Sequence, residues 1–204
     1  MLLIGRYLSP FTRRTAIVMK TLGVAFDTKI MAADPASQEL VAINPLGRVP
    51  ALIIDDNLTL VDSKIIVDYV LETADPEHHL IAARGPDRHA VLALAGIADG
   101  TAEKVVAAIY ETKRRPEDKR HQPWLERLTL QASNGLAHLN SAAEGRQFLH
   151  GDRYSLADIY AAVSYEFTAI GYPDLVANDR YPALAALSAR CSALPAFAET
   201  VPQA

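Results

Sequence analysis

Cysteine is almost absent from this chain: Cys191 is the only one in 204 residues. An intrachain disulfide is therefore excluded. With no apolar export segment at Met1–Arg6, a reducing, cytoplasmic setting is expected. No run approaches about 18 consecutive apolar residues, so no membrane-spanning helix is expected. Charge of either sign is not in large excess: the net charge is −4 and no basic stripe stands out, which gives no support to a nucleic-acid binder. A glycine-rich phosphate loop is missing, because Gly47 stands alone. The histidines show no ligand spacing. His78 and His79 are adjacent rather than three or four apart, and His89, His121, His138 and His150 join no cysteine or carboxylate pattern, so no metal site is expected. Internal repeats and low-complexity segments are lacking too. What is abundant is apolar: half the residues are hydrophobic and 22% charged, the composition of a globular chain able to bury a core without staples. The length fits one large domain or two small ones.

Two hydrophobic periods alternate in the first part of the chain and only one survives in the second. Leu2–Tyr7 reads as a buried strand. Ser9-Pro10 then opens a helix to about Leu22, with Ser9 as N-cap, Pro10 at the first helical position and Gly23 as stop. Phe26–Met31 alternates as a second strand, parallel to the first across the helix. Asp34-Pro35 opens a short helix to about Ile43, capped by Asp34. Asn44-Pro45-Leu46-Gly47 is a turn cluster, and Ala51–Ile54 with Leu58–Val61 forms a hairpin across Asp55-Asp56-Asn57. Asp62 or Ser63 caps a helix over 65–72. The order is β-α-β-α-β-β-α. From Asp75 to Pro86 prolines, histidines and a glycine make a linker, after which the strand signal disappears. Helices are predicted over 89–112, 122–143, 155–170 and 182–194, with a polar loop at 113–121. Ser155-Leu156-Ala157-Asp158 reads as a capping box with Asp in the place of Glu. The expected division is residues 1–76, a linker at 77–86, and an all-helical domain over 87–204.

Three places in the first domain carry candidate chemistry, and each has an ordinary reading beside a functional one. Ser9 lies at the carboxyl end of the first strand and the amino end of the first helix, where unpaired N–H groups and the helix dipole favour an anion such as a thiolate; equally, it is a plain cap. Val49-Pro50 begins a strand with a residue that cannot donate to the ladder. If that bond is cis, Val49 offers its main-chain N–H and C=O to an extended peptide; only about 5–6% of such bonds are cis. Asp62-Ser63 precedes a helix. Ser63 can cap it or bind a carboxylate, and Asp62 can meet an ammonium. Cys191, on a late helix, reads as packed rather than reactive. Tyr110, Tyr165 and Tyr172 read as core or groove wall.

Taken together, Ser9-Pro10-Phe11, Asn44-Pro45-Leu46-Gly47-Arg48-Val49-Pro50-Ala51-Leu52, Leu60-Val61-Asp62-Ser63 and Gly151-Asp152-Arg153-Tyr154-Ser155-Leu156-Ala157-Asp158-Ile159 resemble the glutathione S-transferase family, bacterial type, over essentially the whole chain. The resemblance implies an α/β plus all-α fold: a thioredoxin-like N-terminal domain, then an all-helical C-terminal domain. It implies glutathione as co-substrate and no metal. Pro50 would be the cis proline and Val49 would pair its main chain with the cysteinyl part of glutathione. Asp62 and Ser63 would hold the γ-glutamyl ammonium and carboxylate. Ser9 would donate its hydroxyl to the sulfur and lower a thiol pKa that is about 8.5 when free. Arg48 and Lys64 are both available for the glycine carboxylate, and Tyr7 and Thr12 compete with Ser9 as the activating group. Ser155 and Asp158 would be structural.

The same resemblance implies a transferase that brings glutathione to a hydrophobic electrophile lying between the domains against Phe11 and Tyr110, with peroxide reduction as a related activity and detoxification as the role. It implies a homodimer, and no nucleic-acid or membrane partner. Members that form a mixed disulfide carry Cys where this chain has Ser9, so thioltransferase chemistry is not expected. The Ser-Ser-Cys-type motif of the isomerase class is missing around Ser9, which ranks glutathione-dependent isomerisation last. A scaffold or binding protein on the same fold is the reading from another class.

Overall fold

In the computed structural model, which describes residues 1–203, the elements run β1 (Leu2–Ile4), α1 (Pro10–Thr21), β2 (Asp27–Lys29), α2 (Gln38–Ile43), β3 (Ala51–Ile53), β4 (Thr59–Val61), α3 (Ser63–Ala74), α4 (Pro86–Ile109), α5 (Gln122–Ala143), α6 (Leu156–Gly171), α7 (Pro182–Ser192) and α8 (Pro195–Ala198). They form two compact units. One holds residues 1–80 and 193–203; the other holds residues 81–192. Among the described residues no helix is long and apolar enough to cross a membrane.

The first unit is built on a sheet of order β2-β1-β3-β4. β1 and β2 are parallel, and β3 runs antiparallel to both β1 and β4. Leu3, Ile4, Ala51 and Leu52 are fully buried at its centre, whereas all three residues of β2 are exposed, as suits an edge strand. β1 is shorter than the apolar run predicts. It stops at Ile4 because Gly5 takes φ 145, and a Cβ at Gly5 would meet Thr12 Oγ1 at 2.4 Å. Tyr7, expected inside the strand, therefore lies in the turn beyond it, its hydroxyl 3.4 Å from Thr28 Oγ1.

Helix α1 starts at Pro10 as its sequence demands, and Ala16, Ile17, Val18 and Met19 are fully buried along it. The expected start of α2 at Asp34-Pro35 is corrected: Ser37 is its cap, with Ser37 Oγ accepting from Leu40 N at 3.2 Å. Asp34 closes the preceding turn instead, accepting from Ala36 N at 2.9 Å through Oδ1. Both residues are good caps, and the one three before a free helical N–H wins. Residues 193–203 do not extend the helical domain, which the sequence predicts over 87–204. α8 packs against α1, with the Phe197 ring 5.5 Å from the Arg13 guanidinium and Lys20 Nζ 2.6 Å from Glu199 Oε2.

The second unit is all-helical. α4 packs against α5 and α6, and α7 against the same two. α4 begins at Pro86, behind Gly85, and continues as a π-helical turn over Tyr110–Arg114. The predicted polar loop is thus partly helical, with a 3-10 turn at Glu117–Lys119. Glu111 holds this region: buried, it accepts from Arg115 Nε at 2.9 Å and from His121 N at 2.8 Å. Asp158 organises the start of α6. Its Oδ2 accepts from Ser155 N and Ser155 Oγ, and its Oδ1 from Leu149 N, each at 2.8 Å. Burial raises the Asp158 pKa even against these hydrogen bonds. Cys191 is buried in α7, its thiol pushed up to about 12 by desolvation first and then by the charges of Asp158 and Glu166.

Candidate functional site

The register of the sheet sets the geometry. Ile4, Ala51 and Val61 stand in one row across β1, β3 and β4. The chain leaves the sheet after Ile4, enters it at Ala51 and leaves again after Val61, so three connections emerge from one edge. Ser9, Val49-Pro50 and Asp62-Ser63 lie on these three connections. The structure thus brings the candidates of the first unit to a single side of the sheet, at the carboxyl end of β1.

Ser9 is the N-cap of α1, with φ −72 and ψ 121. Its Oγ accepts from Thr12 N at 3.4 Å, a long contact for a cap, and its own main-chain N–H is taken by Arg6 O at 3.0 Å. The hydroxyl proton takes no part in the cap, since Oγ is the acceptor there. The group is therefore equipped to donate to an anion at the positive end of a three-turn helix. Phe11 follows it and carries the Arg14 guanidinium 4.9 Å above its ring.

The connection before β3 is fixed from within. Asn44 is buried, donates through Nδ2 to Arg48 O at 2.8 Å and accepts from Leu46 N at 3.1 Å. Gly47 N donates to Asn44 O at 2.8 Å. Gly47 has φ 60, and a Cβ there would meet Pro35 Cα at 2.4 Å, so position and conformation both demand glycine. The Val49–Pro50 peptide bond is cis. Val49 and Pro50 are buried, while the Arg48 side chain is exposed.

At the third connection Asp62 is held at φ 71 and ψ 127, a left-handed backbone that non-glycine residues adopt rarely and often at functional sites. Its carboxylate is exposed, with Oδ1 accepting from Lys64 N at 2.8 Å. Ser63 is the first residue of α3 and only 3% exposed. Sequence reasoning missed its partner. Arg14, also 3% exposed, donates from Nη2 to Ser63 Oγ at 2.5 Å and ties α1 to α3. The one available signal was its place one turn before the apolar run Ala16–Met19, where charge seldom sits unpaired.

Tyr110 belongs to the second unit. It is exposed at the start of the π-helical turn, with the Arg114 guanidinium 4.2 Å over its ring.

Two family models match the chain: "Glutathione S-transferase, N-terminal domain" over residues 3–78, and "Glutathione S-transferase, C-terminal domain" over residues 122–190. A glutathione S-transferase from Methylobacterium radiotolerans, solved in complex with glutathione sulfonate, superposes with a TM-score of 0.92 at 28% identity, covering 100% of this chain and 95% of that one. A protein of Vibrio cholerae named as a probable maleylacetoacetate isomerase is 27% identical over 212 residues, 100% of this chain and 96% of its own. An uncharacterized GST-like protein of Escherichia coli is 34% identical, but over 70 residues only, which is 34% of this chain and 35% of that protein.

Proposed function

The chain belongs to the glutathione S-transferase family, and from that premise we propose that it is a working transferase: it binds glutathione in its first unit, stabilises the thiolate and adds the sulfur to a hydrophobic electrophile. The observation that carries this reading is the Asp62-Ser63 pair, a strained backbone that presents an exposed carboxylate beside a buried hydroxyl on the same sheet edge as Ser9 and Val49.

Each group then has a task that its chemistry allows. Asp62, with Oδ1 engaged by Lys64 N, meets the γ-glutamyl ammonium through its other oxygen. Ser63 donates to the γ-glutamyl carboxylate. Val49 pairs its main chain with the cysteinyl residue, next to Pro50. Ser9 donates to the sulfur, helped by the amino end of α1, so a larger share of the thiol is ionised near neutral pH. The thiol proton leaves to solvent. With an aryl chloride the thiolate sulfur forms a bond to the ring carbon, the carbon–chlorine bond breaks, and chloride carries off the electron pair. Arg48, exposed beside Val49, is the candidate for the glycine carboxylate. Phe11, two residues beyond Ser9, is the aromatic candidate of the first unit for contact with the electrophile. The protein acts in the cytoplasm as a homodimer, which a solution mass from light scattering checks.

Turnover of 1-chloro-2,4-dinitrobenzene and of cumene hydroperoxide with glutathione tests the reading. A rate above background that is lost in Ser9→Ala supports it. Calorimetric binding of glutathione without turnover on any electrophile leaves a ligand-binding protein and overturns the enzymatic part. The full-length similarity to a protein named as an isomerase places maleylacetoacetate in the same panel.

A further inference from the structure

Arg14 stands in the second turn of α1, one turn before Ile17 and Val18, and it is almost completely buried. A guanidinium there needs partners that compensate its lost hydration. Two are in place: the Phe11 face at 4.9 Å and the Ser63 hydroxyl at 2.5 Å. Arginine can only donate, so Ser63 Oγ is the acceptor of that bond. A serine hydroxyl has one proton and two lone pairs. With a lone pair taken by Arg14, the proton is left for an acceptor elsewhere, and a cationic donor makes that O–H a better donor in turn.

We infer that Arg14 is a positioning residue for the γ-glutamyl carboxylate: it holds Ser63 Oγ as an acceptor, so that the Ser63 proton is presented to the ligand, and it adds positive charge at the amino end of α3. This rests on the glutathione-binding reading above. A tie that only joined α1 to α3 would change stability and leave the choice between carboxylate-bearing and carboxylate-free ligands untouched. The two roles therefore separate by experiment.

The test uses the full chain and calorimetry with two peptides: glutathione, and 4-aminobutyryl-Cys-Gly, which keeps the amine and lacks the α-carboxylate. In Arg14→Met the affinity for glutathione falls about 10-fold or more, and that for the carboxylate-free peptide stays within about twofold. Arg14→Lys, which keeps the charge without the planar fork, lies between. In a Ser63→Ala background the Arg14→Met loss shrinks, and in the native background KM for glutathione rises more than kcat falls. Equal affinities for glutathione in native, Arg14→Lys and Arg14→Met proteins overturn the inference, as does an equal loss for both peptides. If Arg14→Met does not fold by circular dichroism, the same ratio measured in Arg14→Lys decides. A native protein that binds no glutathione overturns the underlying reading first, and this one with it.

Discussion

Ser9 Oγ lies 3.4 Å from Thr12 N, far enough to make it a poor cap. The residue therefore contributes little to holding α1 and is available for other work. Ser9→Ala is expected to cost under about 1 kcal/mol in urea denaturation. Turnover of 1-chloro-2,4-dinitrobenzene at saturating glutathione falls by at least about 10-fold, and the thiolate absorbance of bound glutathione weakens. A variant of native stability and native turnover removes Ser9 from the activating position and brings Tyr7 and Thr12 forward.

Gly47 is fenced by both backbone and neighbour. At φ 60, and with Pro35 Cα 2.4 Å from where a methyl would stand, Gly47→Ala forces the connection before β3 apart. The expected loss is about 1–3 kcal/mol of stability. Glutathione affinity falls with it, because Arg48, Val49 and Pro50 follow directly. Denaturation midpoints and calorimetry read the two effects separately.

Asp158 takes three short hydrogen bonds inside the second unit, two from Ser155 and one from Leu149. Asp158→Ala leaves these donors buried without an acceptor and is expected to cost about 3–5 kcal/mol. Asp158→Asn keeps one oxygen and points an amide group at the remaining donor, so its loss is smaller but clear. Chemical denaturation of the two variants gives the order.

Cys191 links stability to alkaline pH. Its thiol is raised from an ordinary value of 9.0 to about 12, chiefly by burial. A raised value means the folded state holds the proton longer than the unfolded state. The contribution is therefore complete below pH 9 and is lost as pH climbs toward 12, at about 1.4 kcal/mol per pH unit. Cys191→Ala should flatten that part of the stability profile. In the native protein at pH 8 the thiol should resist a disulfide reagent, and it should react once the chain is denatured.

The helices of the second unit were the most legible part. Gln122–Ala143 follows from the spacing of Leu125, Leu128, Leu136 and Leu139. The family follows from local motifs: Ser9-Pro10, the run Asn44–Pro50, and Asp62-Ser63 are short, contiguous and rich in turn chemistry. What escaped was governed by contacts remote in sequence. The apolar run Leu2–Tyr7 looks like one strand, but the approach of Thr12 to Gly5 ends it at Ile4. Asp34 and Ser37 are equally good caps, and only the folded chain chooses. Val49-Pro50 reads the same in either isomer. Arg14 looks like a surface cation on a helix until Ser63, 49 residues away, closes over it.

The return of α8 to α1 has a consequence for anyone who cuts this chain. A fragment ending near Leu80 carries every candidate of the proposed tripeptide site, yet lacks Phe197 and Glu199, and so loses the Arg13–Phe197 and Lys20–Glu199 contacts. On the ribosome the same order applies in time: the first unit waits until the whole of the second has been made before it is whole.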